Sequence, residues 1–531
     1  MKRVFGGGRS DDDEGPSARR PETYDDDEDH AAPDEATRLL PNRIDSDVRA
    51  GYLSPDDPAV TPYNLWTVRF TRYLSVFFTF VTLIWWTLLL ISIFITPPGL
   101  LTRGSGFYGF SYATVALITL IVLLLFFSAP SKAARILAAI MAVFLLADVI
   151  IVVAVPKIRH EEAWTGIASV VWALFISVWT LIADRTVKWG KAEEEERLTG
   201  RQEERRTLLE WVEVLLSTIF LTVLAIVAFL MTCTLIQRAL DARVTPPGTL
   251  YWVDGDKYQI HLYCHGNTTD AKGKTLPTVL FEGGEDPVEY GLWRFAENAV
   301  ANGSFSRYCF ADRPGMAWSD TAPSPFSASQ ATEALSEALA RAGEEGPWIL
   351  ASAGIGSIYS RVFSSRHGDA VKGLVMIDPL HEDLLGRVGR PGRGFMLWLR
   401  GIISPLGLDR LPAALFKGRD SLDRIWGVVS YQSGRNIFAK LQESLVADSL
   451  TKRDVTSSRA IQSPDVPVVV ISSGIKMKKD SQWEEKQRDL TQLTDNLHDW
   501  DVVRKAPHQV WRTLDGREVI ERRIKQLVHG K

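Results

Sequence analysis

The segment PWILASAGIGSIYSR, from Pro347 to Arg361, decides the fold of this chain. It combines an apolar run, a turn of small residues and a helical stretch, which is typical of a buried parallel strand that leads into a helix. The runs PTVLFEGG, RYCFADRPG, VKGLVMIDP and DVPVVVISSG repeat the pattern, and helical stretches separate them. We therefore predict that residues 244–531 form one α/β domain with an open, mostly parallel sheet.

Further motifs stand around this segment in a defined order. The hairpin YWVDGDKYQIHLYCHG, with its turn at Asp254-Gly255, comes first. The small-residue loop at Glu282 to Gly284, the stretch DRPGMAWSD, the segment quoted above, the run LVMIDPLHEDL and a late histidine follow it. In this order the chain from Leu250 to Lys531 resembles the α/β-hydrolase superfamily. The resemblance implies a serine-hydrolase scaffold of esterase or lipase type, with a helical lid at about residues 384–464.

The nucleophile position is the first point at which the chain departs from that superfamily. There the elbow G-x-S-x-G carries the attacking serine on a strained strand-to-helix turn. Seven residues after Pro347 and seven before Arg361, the two landmarks of this turn, both give position 354. That residue is Gly354, which has no side chain to attack with, so the resemblance implies a scaffold whose acyl-enzyme route is closed.

Two alternatives keep an active enzyme open. In the first, the turn slides by two residues and Ser352 attacks, although Leu350 then stands where a small residue is normally needed. This alternative gives an ester or lipid hydrolase that uses Ser352 with His508 and Asp378. In the second, the remaining base activates water directly and Gly354 only makes room, although removal of a nucleophile generally leaves little catalysis.

The acid and the base of the site also follow from the resemblance. His508, in RKAPHQVW, matches the catalytic histidine of the superfamily. Asp378, at the end of LVMID, occupies one of the two positions where the acid stands, and Asp480 occupies the other. Such an acid and histidine would be oriented as in a catalytic triad, without a hydroxyl to deprotonate.

The loop after the strand PTVLFEGG matches the oxyanion hole. Backbone N–H groups of Gly283, Gly284 and Ile355 stand at the positions that hold the developing negative charge. The superfamily usually has His-Gly where this chain has Gly-Gly, and Glu285 and Asp286 follow at once. Carboxylates that point into an oxyanion hole repel the charge that it stabilises, which is a second indication of lost catalysis.

Other residues of the domain have structural interpretations. Asp312 and Arg313, in DRPGMAWSD, match positions that brace the loops near the elbow. Cys264 and Cys309 fall on strands that are neighbours in the superfamily's sheet, and both a disulfide and two buried free thiols remain open. Because no two of the three cysteines stand at CxxC spacing, we predict no metal site, and nothing indicates a cofactor.

The lid contains GFMLWLRGIISPLGL, which is rich in large apolar groups. An apolar lid beside a membrane indicates a lipid or acyl ligand, or a lid that rests on the bilayer. The alternative is that Trp398 and its neighbours pack on the sheet.

The acidic segment 1–65 carries two carboxylate runs and few large apolar side chains, so we predict a disordered tail. Within it, DEATRLL places Glu35 ahead of Leu39 and Leu40 at the spacing of an acidic dileucine motif. This resembles the address that cytosolic adaptors read when they sort membrane proteins to vacuoles and lysosomes, and an idle tail is the alternative. The net charge of −4, without a basic stripe, argues against a nucleic-acid partner.

Residues 66–243 contain five apolar runs, each near the roughly 20 residues that a helix needs to cross a bilayer. The runs are Tyr73 to Ile95, Tyr108 to Phe127, Ile136 to Val155, Trp164 to Ala183 and Val212 to Ile236. They lack polar faces, so five membrane spans explain them better than a soluble helical core. Asp148 interrupts the third run. An acid inside a membrane indicates transport or proton relay, and pairing with a neighbouring helix is the alternative.

The distribution of Lys and Arg predicts the orientation of these spans. Most of them lie at the span ends on the same side of the membrane as the tail. The ends on the other side carry Arg103, Lys157, Arg159, Arg238 and Arg243. We therefore expect a cytosolic tail and, after an odd number of spans, a lumenal α/β domain. The sequons at Asn267 and Asn302 would then be N-glycosylation acceptors.

The whole chain also resembles a fungal family of membrane proteins that join an uncharacterised multi-span region to a hydrolase-like domain. Some members are labelled mitochondrial. The topology, the sequons and the dileucine favour an endomembrane instead, with the vacuole as a candidate and the mitochondrial membrane as the alternative. The sequence thus predicts a bilayer-embedded, catalytically degenerate α/β-hydrolase-like protein that acts in binding or scaffolding.

Overall fold

The computed structural model describes residues 60–200, 206–269 and 273–530. A bundle of long apolar helices comes first in the chain, and a mixed sheet covered by helices comes second. Almost all of the predicted tail, including Glu35, Leu39 and Leu40, lies outside the described residues.

The five predicted spans are confirmed as helices that are long and apolar enough to cross a membrane. They are α1 (Trp66–Phe94), α2 (Phe107–Leu125), α3 (Lys132–Ala154), α4 (Pro156–Thr199) and α5 (Leu208–Asp241). Helix α4 is broken near its start, where Ala163 has φ 52°. The helices expose many large apolar side chains, as a surface in contact with lipid does.

Asp148 lies on α3 and is fully buried inside the bundle. The hydroxyl of Tyr112, on α2, donates a hydrogen bond to its Oδ2 at 3.0 Å. The acid therefore pairs with a neighbouring helix, as one of the two alternatives expects.

The second part of the chain is built on one eight-stranded sheet. Its strands are β1 (Thr249–Val253), β2 (Tyr258–Gly266), β3 (Thr278–Glu282), β4 (Arg307–Ala311), β5 (Trp348–Ala353), β6 (Val371–Ile377), β7 (Val468–Ser473) and β8 (Leu497–Val503). The strand order is β1-β2-β4-β3-β5-β6-β7-β8. Strand β2 runs antiparallel to β1 and β4, and the other pairs are parallel. The sheet is thus mostly parallel, as predicted, and of the α/β-hydrolase type.

The remaining helices of this part of the chain cover both faces of the sheet or belong to the lid. They are α6 (Leu292–Ala301), α7 (Ala328–Ala342), α8 (Gly356–Arg366), α9 (Leu385–Val388), α10 (Pro391–Ile403), α11 (Arg410–Lys417), α12 (Ser421–Ile425), α13 (Gly434–Val446), α14 (Lys452–Ala460), α15 (Gly474–Lys479), α16 (Ser481–Leu490) and α17 (Leu514–His529). One apolar core lies between the sheet and α6 and α17, and the other lies between the sheet and α7, α8 and α16. Central strands buried on both faces explain their continuous apolar runs.

The predicted hairpin is present, with Asp254 and Gly255 both at positive φ between β1 and β2. A disulfide joins Cys264 on β2 to Cys309 on β4, which are direct partners in the antiparallel pair. Of the two alternatives for these cysteines, the structure therefore contains the disulfide.

The lid packs on the membrane helices, so the alternative that Trp398 packs on the sheet is wrong. The Trp398 ring lies 6.5 Å from that of Phe94, at the end of α1. Gly401 lies so close to Phe107, at the start of α2, that a Cβ there would meet the ring at 2.1 Å. Apolar side chains at the end of α1 and the start of α2 pack against α10, whereas other helices already cover the sheet.

Candidate functional site

The turn between β5 and α8 forms the centre of the site. Strand β5 ends at Ala353, and Gly354 then adopts φ +48°, in the left-handed region that side chains disfavour. Its N–H donates to the carbonyl of Ile377 at 3.1 Å, and its carbonyl accepts from the N–H of Leu380 at 2.9 Å. Residue 354 therefore stands at the sharp bend between strand and helix.

Asp378 and His508 meet beside this bend. Asp378 follows β6 and is fully buried. Its Oδ1 accepts from the N–H of Ser473 at 3.0 Å and from the indole of Trp483 at 2.9 Å. Its Oδ2 accepts from Nδ1 of His508 at 2.5 Å. The carboxylate thus fixes the orientation of the imidazole and leaves its Nε2 facing the bend.

The side chain of Glu285 occupies the space in front of Nε2. Nε2 of His508 donates to Oε2 of Glu285 at 3.1 Å. A Cβ at residue 354 would lie 2.8 Å from that oxygen and 3.1 Å from Nε2. The carboxylate therefore fills the room in which a nucleophilic side chain at residue 354 would stand.

The two charges stabilise one another. Burial lowers the pKa of His508, but hydrogen bonds to Asp378 and Glu285 outweigh it and raise that pKa to about 9. Burial raises the pKa of Glu285, but the hydrogen bond and the charge of His508 outweigh it and lower that pKa to about 2. At neutral pH the imidazole is a cation with both nitrogens protonated. In that state it cannot accept a proton as a general base.

Ser352 and Asp480 lie away from this arrangement. Ser352 is inside β5 and fully buried, and its Oγ has no hydrogen-bond partner among the described residues. Asp480 pairs with Arg387 of the lid and caps α16 through the N–H of Trp483. Asp378, rather than Asp480, contacts the histidine.

The loop after β3 approaches the bend closely. A Cβ on Gly284 would lie 3.2 Å from the carbonyl oxygen of Ala353. The guanidinium of Arg313 donates to the carbonyls of Gly283 and Gly284. Ile355 directly precedes α8. Residues Gly283, Gly284 and Ile355 are thus brought together at the bend.

Carboxylates do point into this loop region. Asp286 accepts a hydrogen bond from the side-chain amide of Gln509 at 2.9 Å, beside His508. The ammonium of Lys440, on α13 of the lid, lies 3.4 Å from Glu443, and burial lowers the pKa of Lys440.

The sequence shows Glu285 next to the loop of Gly283 and Gly284. Its contact with His508 depends on a side-chain direction that no local pattern encodes.

Asp312 and Arg313 contact neighbouring loops. Oδ2 of Asp312 accepts from Nδ1 of His261 at 2.9 Å and from the N–H of Trp318 at 3.1 Å. Arg313 holds the loop of Gly283 and Gly284, as described above. The side chains of Asp312 and Arg313 thus contact the loops that follow β3 and β4, and the bracing role stays a prediction.

Three groups of His, Cys and carboxylate atoms lie close enough together to hold a metal ion. They are Cys264, Cys309 and Glu344; His261, Glu289 and Asp312; and His381, Glu382 and Asp489. The first group contains the disulfide. In the second, both ring nitrogens of His261 take part in hydrogen bonds. In the third, guanidinium groups pair with Glu382. The first and third groups are thus engaged in the disulfide and in ion pairs, whereas both carboxylate oxygens of Glu289 in the second have no hydrogen-bond partner among the described residues.

Both sequons lie on the α/β domain, and Asn267 and Asn302 are exposed. The amide of Asn302 also donates to Glu521 at 3.3 Å.

Known proteins similar to this chain fall into two groups. Residues 35–264 match a family described as a region of unknown function (DUF2417). An uncharacterized protein of Schizosaccharomyces pombe is 33% identical over 530 residues, which cover 94% of this chain and 97% of that protein. An uncharacterized vacuolar membrane protein of Saccharomyces cerevisiae is 28% identical over 381 residues, which cover 61% of this chain and 59% of that protein.

Solved structures match about half of the chain. One comes from work on carboxylesterases of Nitrososphaera gargenis, with 13% identity, a TM-score of 0.39 and coverage of 53% of this chain and 100% of that chain. Another is an enol-lactonase from Burkholderia xenovorans, with 15% identity, a TM-score of 0.38 and coverage of 53% of this chain and 100% of that chain.

Proposed function

The chain belongs to the family of the S. pombe protein that it matches along nearly its whole length, and from this premise we propose that its α/β-hydrolase-like domain is a catalytically degenerate binding or scaffolding module. The domain is held at a membrane by the five apolar helices. The Glu285 carboxylate in front of His508, and not the loss of a strand or helix, prevents the serine-hydrolase reaction.

The contact between Glu285 and His508 carries this proposal. In a serine hydrolase, Nε2 takes the proton of the attacking hydroxyl. Here Nε2 donates instead to a carboxylate at 3.1 Å. The nucleophile position holds Gly354, so the site lacks both a hydroxyl to activate and a free base to activate it.

A fluorophosphonate probe, which labels activated serines, tests the proposal on the detergent-solubilised full chain. We expect no labelling of the natural chain. Labelling that disappears in Ser352→Ala would overturn the proposal and establish the alternative hydrolase. As a positive control, the double variant Gly354→Ser/Glu285→Ala places a hydroxyl beside Nε2 and removes the competing carboxylate. We expect this variant to gain labelling that depends on His508.

Among the described residues, no contact supports hydrolysis by Ser352 or transport through Asp148. The Ser352 hydroxyl lies inside the strand, away from the pair of Asp378 and His508. Transport by the bundle would need Asp148 to exchange a proton or an ion, whereas its Oδ2 holds the Tyr112 hydroxyl. Normal function of a cell that carries Asp148→Asn would remove the transport hypothesis.

The proposed topology places the tail in the cytosol and the α/β domain in the lumen of an endomembrane, with the vacuole as the favoured one. Three observations support it. Alternation of the spans places their Lys- and Arg-rich ends on the same side of the membrane as the tail, the disulfide suits an oxidising compartment, and both sequons are exposed. The budding-yeast relative carries the name of a vacuolar membrane protein.

Glycosidase treatment tests this topology. We expect a mobility shift that is reduced in Asn267→Gln and in Asn302→Gln and absent in the double variant. An unshifted α/β domain that protease digests from the cytosolic side would contradict the topology. For the sorting motif, Leu39→Ala/Leu40→Ala should leave the protein in an earlier compartment, since cytosolic adaptors would no longer read it.

The lid supports a role at the bilayer surface. Helix α10 packs on the ends of α1 and α2, and the side chains of Leu415 and Phe416 on α11 are 76% and 84% exposed. Large apolar groups exposed beside membrane helices are stabilised by partition into the interface. We therefore favour a lid that rests on lipid, and a lipid or acyl ligand follows from the same surface.

A further inference from the structure

A second charged centre lies at the junction between the membrane helices and the lid. A cavity of about 60 Å³ is enclosed there by the start of α2, the start of α4, the end of α5 and the lid segments around α11 to α13. That volume is several times what one water molecule needs. It is lined by none of the residues around Gly354.

Basic side chains dominate the lining. Five lining residues are basic: Lys157, Arg238, Arg410, Arg424 and Arg435. Two lining residues are acidic, Glu161 and Asp241, and a third acid, Glu162, pairs with Arg238 just behind them. With all three acids ionised, these five basic and three acidic groups keep an excess of two positive charges, and Asp320, outside the lining, is a further acid near Lys157.

The acids are already shared among the guanidinium groups. Arg238 donates to Glu161 and to Glu162, at 2.7 Å each. Asp241 accepts from Arg424 at 2.5 Å and from Arg410 at 3.2 Å. No carboxylate of the lining is left over to neutralise the remaining cations.

Two residues of the lining each carry a buried donor atom without a hydrogen-bond partner among the described residues. Nε of Arg410 and the hydroxyl of Tyr108 are buried and have no hydrogen-bond partner within the residues that the structure describes. Arg410 and Tyr108 are only 6% and 5% exposed. Lys157 forms no ion pair with any described residue, and its ammonium lies over the Trp318 ring at 5.1 Å. The two buried donors are costly unless a ligand satisfies them, and the half-buried Lys157 adds a positive charge beside them.

We propose that this cavity binds a tetrahedral oxyanion of the phosphate class, held by Arg410, Lys157 and the Tyr108 hydroxyl. Guanidinium N–H groups, an ammonium and a phenol O–H are the donors that phosphate oxygens accept from most strongly. The anion neutralises the excess charge and links the lid to the ends of α2, α4 and α5. It does not depend on whether the site at Gly354 is active.

Phosphate chemistry can reach this position from two sources. The cavity lies at the ends of apolar helices, where phospholipid headgroups lie, and it is also open to a free anion. The experiment therefore uses inorganic phosphate and a phosphatidate-containing bilayer as separate probes.

In the first arm, thermal unfolding of the delipidated full chain in detergent is followed with increasing inorganic phosphate, against chloride at equal ionic strength. Phosphate should raise the unfolding temperature. Lys157→Gln should weaken the apparent affinity about tenfold, and Tyr108→Phe, which keeps the ring, about threefold. Arg243→Gln removes the same charge from an exposed position outside the cavity and should leave the affinity within about twofold.

In the second arm, the chain is placed in phosphatidylcholine nanodiscs with or without phosphatidate, and the same unfolding is measured. Stabilisation by phosphatidate that Lys157→Gln reduces identifies a headgroup, whereas stabilisation by phosphate alone identifies a free anion. Either result supports the proposal. If neither probe stabilises the natural chain more than it stabilises Lys157→Gln, the proposal is overturned. Tyr108→Phe keeps that comparison valid if Lys157→Gln folds poorly.

Discussion

The bend at Gly354 and the cavity at the lid junction both gather charge in the interior, but they balance it differently. At the bend, His508 lies between Asp378 and Glu285, and the ammonium of Lys476 lies 3.9 Å from Asp378. Two cations thus face two carboxylates. At the junction, basic groups outnumber acids and two donors lack partners. The charges at the bend balance one another, whereas the junction has excess positive charge and unpaired donors that a ligand would satisfy.

Under the proposed function, the bend has lost its hydrolytic chemistry, and the difference in charge balance gives the physical reason. Loss of a serine alone would leave a histidine free to act on water. A carboxylate that occupies the same space raises the pKa of the imidazole to about 9, which under the proposed function closes the site. At the junction, no residue of the described chain plays the part of Glu285. Matched charge therefore indicates a closed site, and unmatched buried charge indicates a ligand.

Removal of one shared carboxylate should destabilise the junction more than any other change considered below. Asp241→Asn removes the carboxylate that Arg410 and Arg424 share, and it leaves both guanidinium groups buried without a counter-charge. We expect the free energy of unfolding to fall by about 3–5 kcal/mol. Added phosphate should restore more of this loss than it adds to the natural chain. Thermal unfolding of the full chain in detergent measures both effects.

The matched control for this prediction is Asp423→Asn. Asp423 pairs with Arg419 at 3.3 Å on the surface of the lid, where about 0–1 kcal/mol is expected. An equal loss in both variants would show that the junction charges are not buried as described.

The next effect concerns the space at the bend. Gly354→Ala adds a Cβ at φ +48° and 2.8 Å from Oε2 of Glu285, so the backbone is strained and the carboxylate must move off His508. We expect a loss of about 1–3 kcal/mol in the free energy of unfolding. Gly303→Ala is the matched control, because Gly303 has φ +73° and nothing within 4 Å of its Cβ.

A Glu285→Ala background separates the steric contact at residue 354 from the backbone strain. There the Gly354→Ala loss should fall to that of Gly303→Ala, since only the backbone strain remains. A loss that stays unchanged without the Glu285 side chain would mean that the carboxylate does not fill this space.

The sequence predicts the frame of the bend because landmarks lie within seven residues on either side of it. Pro347 and Arg361 place residue 354, and the end of LVMID places Asp378. The contact between Glu285 and His508 could not be read in this way. It joins residues 223 positions apart and depends on which way a half-exposed side chain turns.

The junction is invisible to local patterns for a related reason. Its residues come from α2, α4, α5 and the lid, which are distant in the sequence and meet where the lid docks on the spans. The sequence did show Lys157 and Arg238 at the cation-poor ends of the spans. It gave no reason to expect them beside Arg410. The packing of Trp398 on α1, against the alternative of the sheet, has the same cause.

A smaller effect tests the charge pair at the bend through its pH dependence. The pKa of His508 is raised from 6.5 to about 9, so its share of stability is full below 6.5 and is lost as the pH rises through 9. The pKa of Glu285 is lowered from 4.5 to about 2, so its share is full above 4.5 and is lost as the pH falls towards 2. Glu285→Gln should therefore cost most between these limits, at about pH 5.5.

Because the Glu285 side chain is 53% exposed, solvent screening limits this loss to about 1 kcal/mol. The difference in unfolding temperature between the natural chain and Glu285→Gln should shrink at about pH 9.5. Asp286→Asn, which changes the neighbouring carboxylate, should show no such dependence on the charge of His508. A difference that is constant from pH 5.5 to 9.5 would contradict the pairing.

The smallest effect separates the two candidate acids. Asp480 pairs with Arg387 at the partly exposed edge of the lid, so Asp480→Asn should change the free energy of unfolding by about 0.5 kcal/mol. In the Gly354→Ser/Glu285→Ala background, Asp480→Asn should leave fluorophosphonate labelling intact. Asp378→Asn should abolish it, because the carboxylate that accepts from Nδ1 of His508 is that of Asp378. Labelling that survives without Asp378 but fails without Asp480 would reverse this assignment, and the bend would then not be the self-satisfied centre that its charges describe.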